Sequence, residues 1–159
     1  MTTPLLALPL HPLVVHVAVC LISVAAASVL AVVRPRWRWA LRTPSAVLNV
    51  IALGVLLLTR ETGEELAHHV TDNRALVERH DQMAGILTGA LVVLTVLSLV
   101  AWWAMPLTTT ALASGRGRHG GHLDRWTTVL GWLVVVAAVA TLVAVVLTGH
   151  SGAVAVWSG

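Results

Sequence analysis

Long apolar runs alternate with short polar connectors along this chain. The runs extend from about Leu13 to Val33, Trp39 to Thr59, Met83 to Met105 and Trp126 to Leu147. Each comes close to the roughly 20 residues that a helix needs to cross ~30 Å of hydrocarbon at ~1.5 Å per residue. Apolar residues are continuous within the runs rather than alternating, which favours helices over barrel strands. Pro12 suits the first turn of the first helix, where its missing N–H costs nothing. The pattern predicts an all-α, integral membrane four-helix bundle, a single transmembrane domain over residues 1–159 with helices over about 12–33, 39–69, 75–105 and 125–148. The second helix is expected to protrude past its apolar stretch, because Glu61, Glu64, Glu65, His68 and His69 continue at helical spacing. The segment Ser114–Gly121 reads as a flexible loop of glycine and arginine.

Composition gives the same answer by a different route. Only 11% of the 159 residues are charged, 57% are apolar, and the mean hydropathy is +0.86. A soluble domain carries about 25% charged residues, so this chain cannot cover a surface with water-facing groups and its main solvent must be lipid. The net charge of +3 does not point to a nucleic-acid partner, because the arginines fall between apolar runs. No Lys or Arg precedes the first run, and no small-x-small site follows Cys20. The first run is therefore expected to be a span rather than a cleaved leader. A lone cysteine forms no disulfide within the chain.

Connector charge sets an expected orientation. Residues 34–42 carry Arg34, Arg36, Arg38 and Arg42 with no acid, and residues 106–125 carry Arg116, Arg118 and Arg125 against Asp124. Residues 60–81 are acidic on balance. Basic connectors stay in the cytoplasm, which puts the first and third inside and both termini, with the acidic connector, on the outer side. Trp37, Trp39, Trp102, Trp103 and Trp126 cluster at the cytoplasmic ends, where interfacial anchors belong.

On that topology His11, His16, His68, His69, His80 and His150 all fall at the outer end, contributed by all four helices. An imidazole that titrates near neutrality is expensive at membrane depth unless it is used or paired. His16 lies about one turn inside the first helix and leads a face of Cys20, Ser23 and Ala27. His80 leads Ala84, Leu87 and Thr88, and Gly85 and Gly89 have the spacing that lets helices approach closely. His150 follows Gly149, where the fourth helix could end. Asn49, deep in the second run, suits an interhelical hydrogen bond. Facing imidazoles are how helical bundles hold a haem iron. His16 and His80 form the preferred axial pair, with His69 or His150 as substitutes. The chain has no Cys-x-x-Cys-His, so such a haem would be b-type, and the hydrolase, zincin and phosphate-loop motifs are missing too.

The segment Leu10-His-Pro-Leu-Val-Val-His16 resembles the opening of a bacterial membrane family, domain of unknown function 2231, whose members read His-Pro-x-x-Val-His at the start of four helices. Thr62-Gly63, His80 and the glycine-rich ending from Leu147 to Gly159 fit the same resemblance. Val17 and the pair Val156-Trp157 depart from it. The resemblance implies a multi-pass protein of the bacterial plasma membrane. It also implies redox work, since related domains resemble haem-binding bundles and occur joined to Rieske-type or cytochrome modules. It makes His11, His16, His80 and His150 candidate ligands.

Together these features lead to a haem b electron carrier or redox-complex subunit, more a carrier than an enzyme, with another redox protein as partner. Two alternatives differ in chemistry. An outer-face copper or zinc site could use Glu64, Glu65, His68, His69 and His80, which offer the mixed oxygen and nitrogen donors these metals accept. A cofactor-free scaffold or assembly subunit would use its histidines only for hydrogen bonds. A transporter is disfavoured, since apart from histidine no ionisable side chain lies inside a span.

Overall fold

Four helices make up the computed structural model, which describes residues 10–67, 74–104 and 121–157. They are α1 (Leu10–Val33), α2 (Pro35–Ala67), α3 (Arg74–Ala104) and α4 (Gly121–Trp157). All four are long and apolar enough to cross a membrane. Successive helices run antiparallel. Ser28 late in α1 meets Ser45 early in α2, the end of α2 meets the start of α3 through Arg60 and Asp81, and His80 in α3 meets Ser151 near the end of α4. α1 packs mainly on α2 and α4, and α3 mainly on α4 and α2, which leaves α1 and α3 diagonal to one another.

A single residue, Arg34, separates α1 from α2. Its N–H donates to the Ala31 carbonyl at 3.1 Å and its carbonyl accepts from Trp37 at 3.0 Å. Pro35 then starts α2 with φ already fixed in the helical range. The Arg38 side chain reaches back to the last carbonyls of α1, with Nη2 3.1 Å from Val33 O and Nε 3.4 Å from Val32 O. Those carbonyls have no partner within their own helix, so the guanidinium acts as their cap. This explains why helical structure begins at Pro35 rather than near Trp39. Pro44 lies inside α2, and its missing N–H leaves the Ala40 carbonyl without its usual intrahelical donor.

The helix seams are built from small and branched residues. Ala18, Ile22, Ala25, Ala26 and Val29 of α1 are buried against Ala52 and Leu56, Leu87, Leu91 and Leu94, and Val134, Ala137 and Ala138. Alanine at so many contacts lets the backbones come close, as bundles outside water require. Side chains turned away from the seams are apolar as well. Val24, Val50, Ile86, Val93, Val136 and Val146 are all exposed. Water-facing surfaces do not carry apolar patches of this extent.

Buried polar side chains bond mostly to their own helices. Thr59, Thr95 and Thr141 donate to the carbonyls four residues earlier at 2.7–2.8 Å, and Ser98 donates to Thr95 O at 2.9 Å. Asn49 behaves likewise: its Nδ2 donates to Ser45 O at 2.8 Å, so it does not make the interhelical bond expected of it. Ser28 and Ser45 do bond across α1 and α2, at 2.9 Å.

Burial separates seam from outer face and gives a direct test. Leu91 is 0% exposed whereas Val96 is 53% exposed. Leu91→Ala should lower unfolding stability in detergent by ~2–5 kcal/mol through loss of contacts and a residual cavity. Val96→Ala should stay within ~0.5 kcal/mol of the parent. Reversible denaturant titration of helical circular dichroism measures both.

Candidate functional site

The antiparallel arrangement gathers the start of α1, the end of α2, the start of α3 and the end of α4 at one end of the bundle. This is the end to which the histidine pattern points. His80 is the best-defined group there. It leads the packing face of α3, since Leu87 follows it by two turns and is buried. The ring lies against α4, where its Nδ1 is 3.1 Å from Ser151 Oγ.

A serine hydroxyl has one hydrogen and two lone pairs. Ser151 Oγ lies 2.9 Å from Thr148 O and 3.1 Å from His80 Nδ1, and its one hydrogen serves either contact. When it goes to Thr148, the imidazole is the donor, with its proton on Nδ1 and a lone pair on Nε2. An imidazole held by an Nδ1–H bond and presenting Nε2 is the arrangement that orients histidine for a metal ion or a proton.

The rest of this end supports the His80 contact. Thr148 Oγ1 donates to Met83 O at 3.1 Å, a second tie between α4 and α3. A Cβ built on Gly152 would lie 3.0 Å from His80 Cε1 and 3.3 Å from Nδ1, so the glycine leaves room for the ring. On the α2 side Arg60 Nη2 pairs with Asp81 Oδ1 at 3.3 Å. That pair is partly solvent-open and contributes little energy.

These contacts also correct the expected end of α4. The helix does not stop at Gly149 but continues through Gly152 to Trp157. Glycine inside a helix costs up to ~1 kcal/mol against alanine. The interhelical bonds from Thr148 and Ser151 offset that cost and carry the helix on.

His16 lies elsewhere. It is exposed, as are Cys20 and Ala27 on the same face, while Ser23 donates to its own helix at Val19 O, 2.7 Å away. The helical repeat explains the placement. Ala18, Ile22, Ala25 and Val29, which form the seam of α1, lie on the side opposite His16 at ~100° per residue. The structure therefore does not bring His16 and His80 together: one faces outward from α1, the other lies against α4, and their helices are diagonal. His150 is also exposed. Gly85 and Gly89 have nothing within 4 Å of a built Cβ, so their spacing serves no close helix contact among the described residues.

The remaining candidates are placed only in part. His11 lies in α1, and Glu64 and Glu65 lie in α2, but their side chains are outside the described part of the structure; His68 and His69 lie outside the described residues. The Glu65–His68–His69 metal set therefore has no geometry here. Among the described residues no three His, Cys, Asp or Glu side chains form a group that could hold a metal ion. Sequence reasoning passed over Ser151, although its position beside His150 in a run of small residues was visible. No periodicity would have paired it with His80.

No family model, curated protein or solved structure matches the chain. The likeness to the domain of unknown function 2231 rests on the opening and closing motifs themselves.

Two glycines of α4 make the tight contact testable. Gly152→Val should displace the His80 ring and cost ~1–3 kcal/mol by overpacking. Gly149→Ala, with open space around it, should be neutral or stabilising by up to ~1 kcal/mol. A double-mutant cycle between His80→Ala and Ser151→Ala should return a coupling of ~0.6 kcal/mol, typical for a hydrogen bond between membrane helices.

Proposed function

We propose that this chain is a multi-pass membrane subunit that carries electrons through a b-type haem held at its histidine-bearing end, with His80 as an iron ligand. The observation that carries this reading is the contact of His80 Nδ1 with Ser151 Oγ, which engages one ring nitrogen and, with the proton on Nδ1, would leave Nε2 to bind iron. A haem bound there would supply reversible one-electron chemistry. The chain's part is to engage Nδ1 through Ser151 and hold the ring against α4.

His80 fits the role of one axial ligand. His16 does not fit the role of the second within the same chain, because it is exposed on the far side of α1 from the packing seam. That leaves the sequence alternatives for the second ligand, His150, which is exposed on α4, and His69, which lies outside the described residues. Were two histidines of the chain to hold the haem, no position would remain for a substrate, and the subunit would be a carrier that hands electrons to a redox partner.

Orientation follows from charge. Arg34, Arg36, Arg38 and Arg42 gather at the opposite end of the bundle from His80, and the positive-inside rule assigns that end to the cytoplasm. The histidine-bearing end and both termini then face outward across a bacterial plasma membrane. Reporter fusions at the C-terminus, active only on the outer side, check this assignment.

One further reading has an observation of its own. The close approach of Gly152 to His80 is what a packing clamp needs, and a scaffold subunit without cofactor would use the same hydrogen bond only to lock α3 to α4. A reduced-minus-oxidised spectrum separates the two. Protein produced with haem supplied should show a b-type alpha band, lost in His80→Ala and kept in His16→Ala. Colourless protein, or a band that survives His80→Ala, would refute the haem assignment. Copper or zinc in stoichiometric amount without porphyrin would move the site to the acidic and histidine-rich connector.

A further inference from the structure

The end of the bundle opposite His80 gathers arginines for which no described side chain supplies a carboxylate partner; Asp124, in the first turn of α4, has a side chain outside the described part of the structure. Arg34 and Arg36 are exposed, Arg38 caps the carbonyls of α1, and Arg42 lies one turn further into α2. The chain has no Asp or Glu before Glu61, and the only carboxylate–arginine pair among the described residues is Arg60–Asp81 at the other end. Arg38 and Arg42 stand four residues apart on one helix face, where like charges repel. The Arg38 guanidinium is already engaged by the last carbonyls of α1, which leaves Arg42 to face that repulsion without a carboxylate partner among the described residues.

Arg42 is the least satisfied of the group. Its guanidinium carbon lies 5.3 Å from the centre of the Trp102 ring, and Trp102 is itself tethered by Nε1 to Thr43 Oγ1 at 3.1 Å. Yet its Nε is buried and has no hydrogen-bond partner. A charged donor left unbonded away from water is costly. The same side chain forms a wall of a small crevice with Val29, Val33, Ser45, Ser98 and Trp102, whose ~10 Å³ interior holds about one water. Its lining is mainly apolar, with Arg42 as the one charged residue.

We propose that Arg42, with Arg36 and Arg38, forms a binding site for the phosphate of an anionic phospholipid, whose acyl chain lies along Trp102 and Val33. A phosphate diester offers the acceptor oxygens that the guanidinium fork matches, and its charge relieves the Arg38–Arg42 repulsion. Basic side chains at the rim of membrane helices attract anionic headgroups by this chemistry. The site rests on the reading of the chain as membrane-embedded but not on any haem, so loss of one leaves the other standing.

Native mass spectrometry and thermal unfolding of delipidated protein in neutral micelles test the site. Phosphatidylglycerol should bind saturably and raise the unfolding temperature more than phosphatidylcholine does. Arg42→Gln and Arg36→Gln should each weaken that binding about fivefold, the effect of one basic side chain at an anionic surface. Arg42→Lys, which keeps the charge and loses the fork, should fall between, and Arg60→Gln at the other end should match the parent. Should Arg42→Gln fail to fold, Arg42→Lys and Arg36→Gln decide the matter. Equal response to the two lipids, or phosphatidylglycerol binding unchanged in those variants, would overturn the site. Protection by inorganic phosphate equal to that by the lipid would overturn the lipid assignment.

Discussion

Polar groups that cannot reach water must be bonded inside the protein, and this constraint shapes the whole chain. Helices satisfy their own backbones except at the ends. The hydroxyls of Thr59, Thr95 and Thr141 return to carbonyls of their own helices. The carbonyls at the end of α1 take the Arg38 guanidinium instead. With most polar demand met inside each helix, Asn49 Oδ1 and Arg42 Nε being the exceptions among the described residues, the seams can be largely alanine, leucine and valine. Side-chain hydrogen bonds between helices are few among the described residues and fall mainly near the two ends.

Those two ends differ in kind. One brings together Arg60 with Asp81, Thr148 with the Met83 carbonyl, and His80 with Ser151, so that its polar groups are matched across helices. The other gathers arginine and tryptophan, with cation–π contacts at 5.3 and 5.6 Å but no carboxylate partner among the described residues. The two functional proposals occupy these opposite ends and share no residue.

The four helices were legible in the sequence because run length and lack of charge are properties of a segment on its own. Helix ends were less so. The start of α2 at Pro35 depends on Arg38 reaching back to α1, and the extension of α4 past Gly149 depends on bonds to α3. Both are tertiary contacts that no local pattern encodes. Facing was partly legible: His80 leads a buried face, as its Ala84–Leu87–Thr88 spacing suggested. For His16 the same reasoning failed, because small residues such as Cys20 and Ala27 occur on outward faces as readily as on seams. The decisive signal was the alternative face of Ala18, Ile22 and Ala25, equally small and more continuous.

The junction at Arg34 has a mechanical consequence. With one residue between them and a guanidinium bolting the joint, α1 and α2 form a stiff hairpin that lacks the slack for either rod to tilt alone. α3 and α4, tied through His80, Ser151 and Thr148, form a second unit. Any change of shape would then be a rocking of one pair against the other, with the Arg60–Asp81 and Thr43–Trp102 contacts at opposite ends of the seam as its stops.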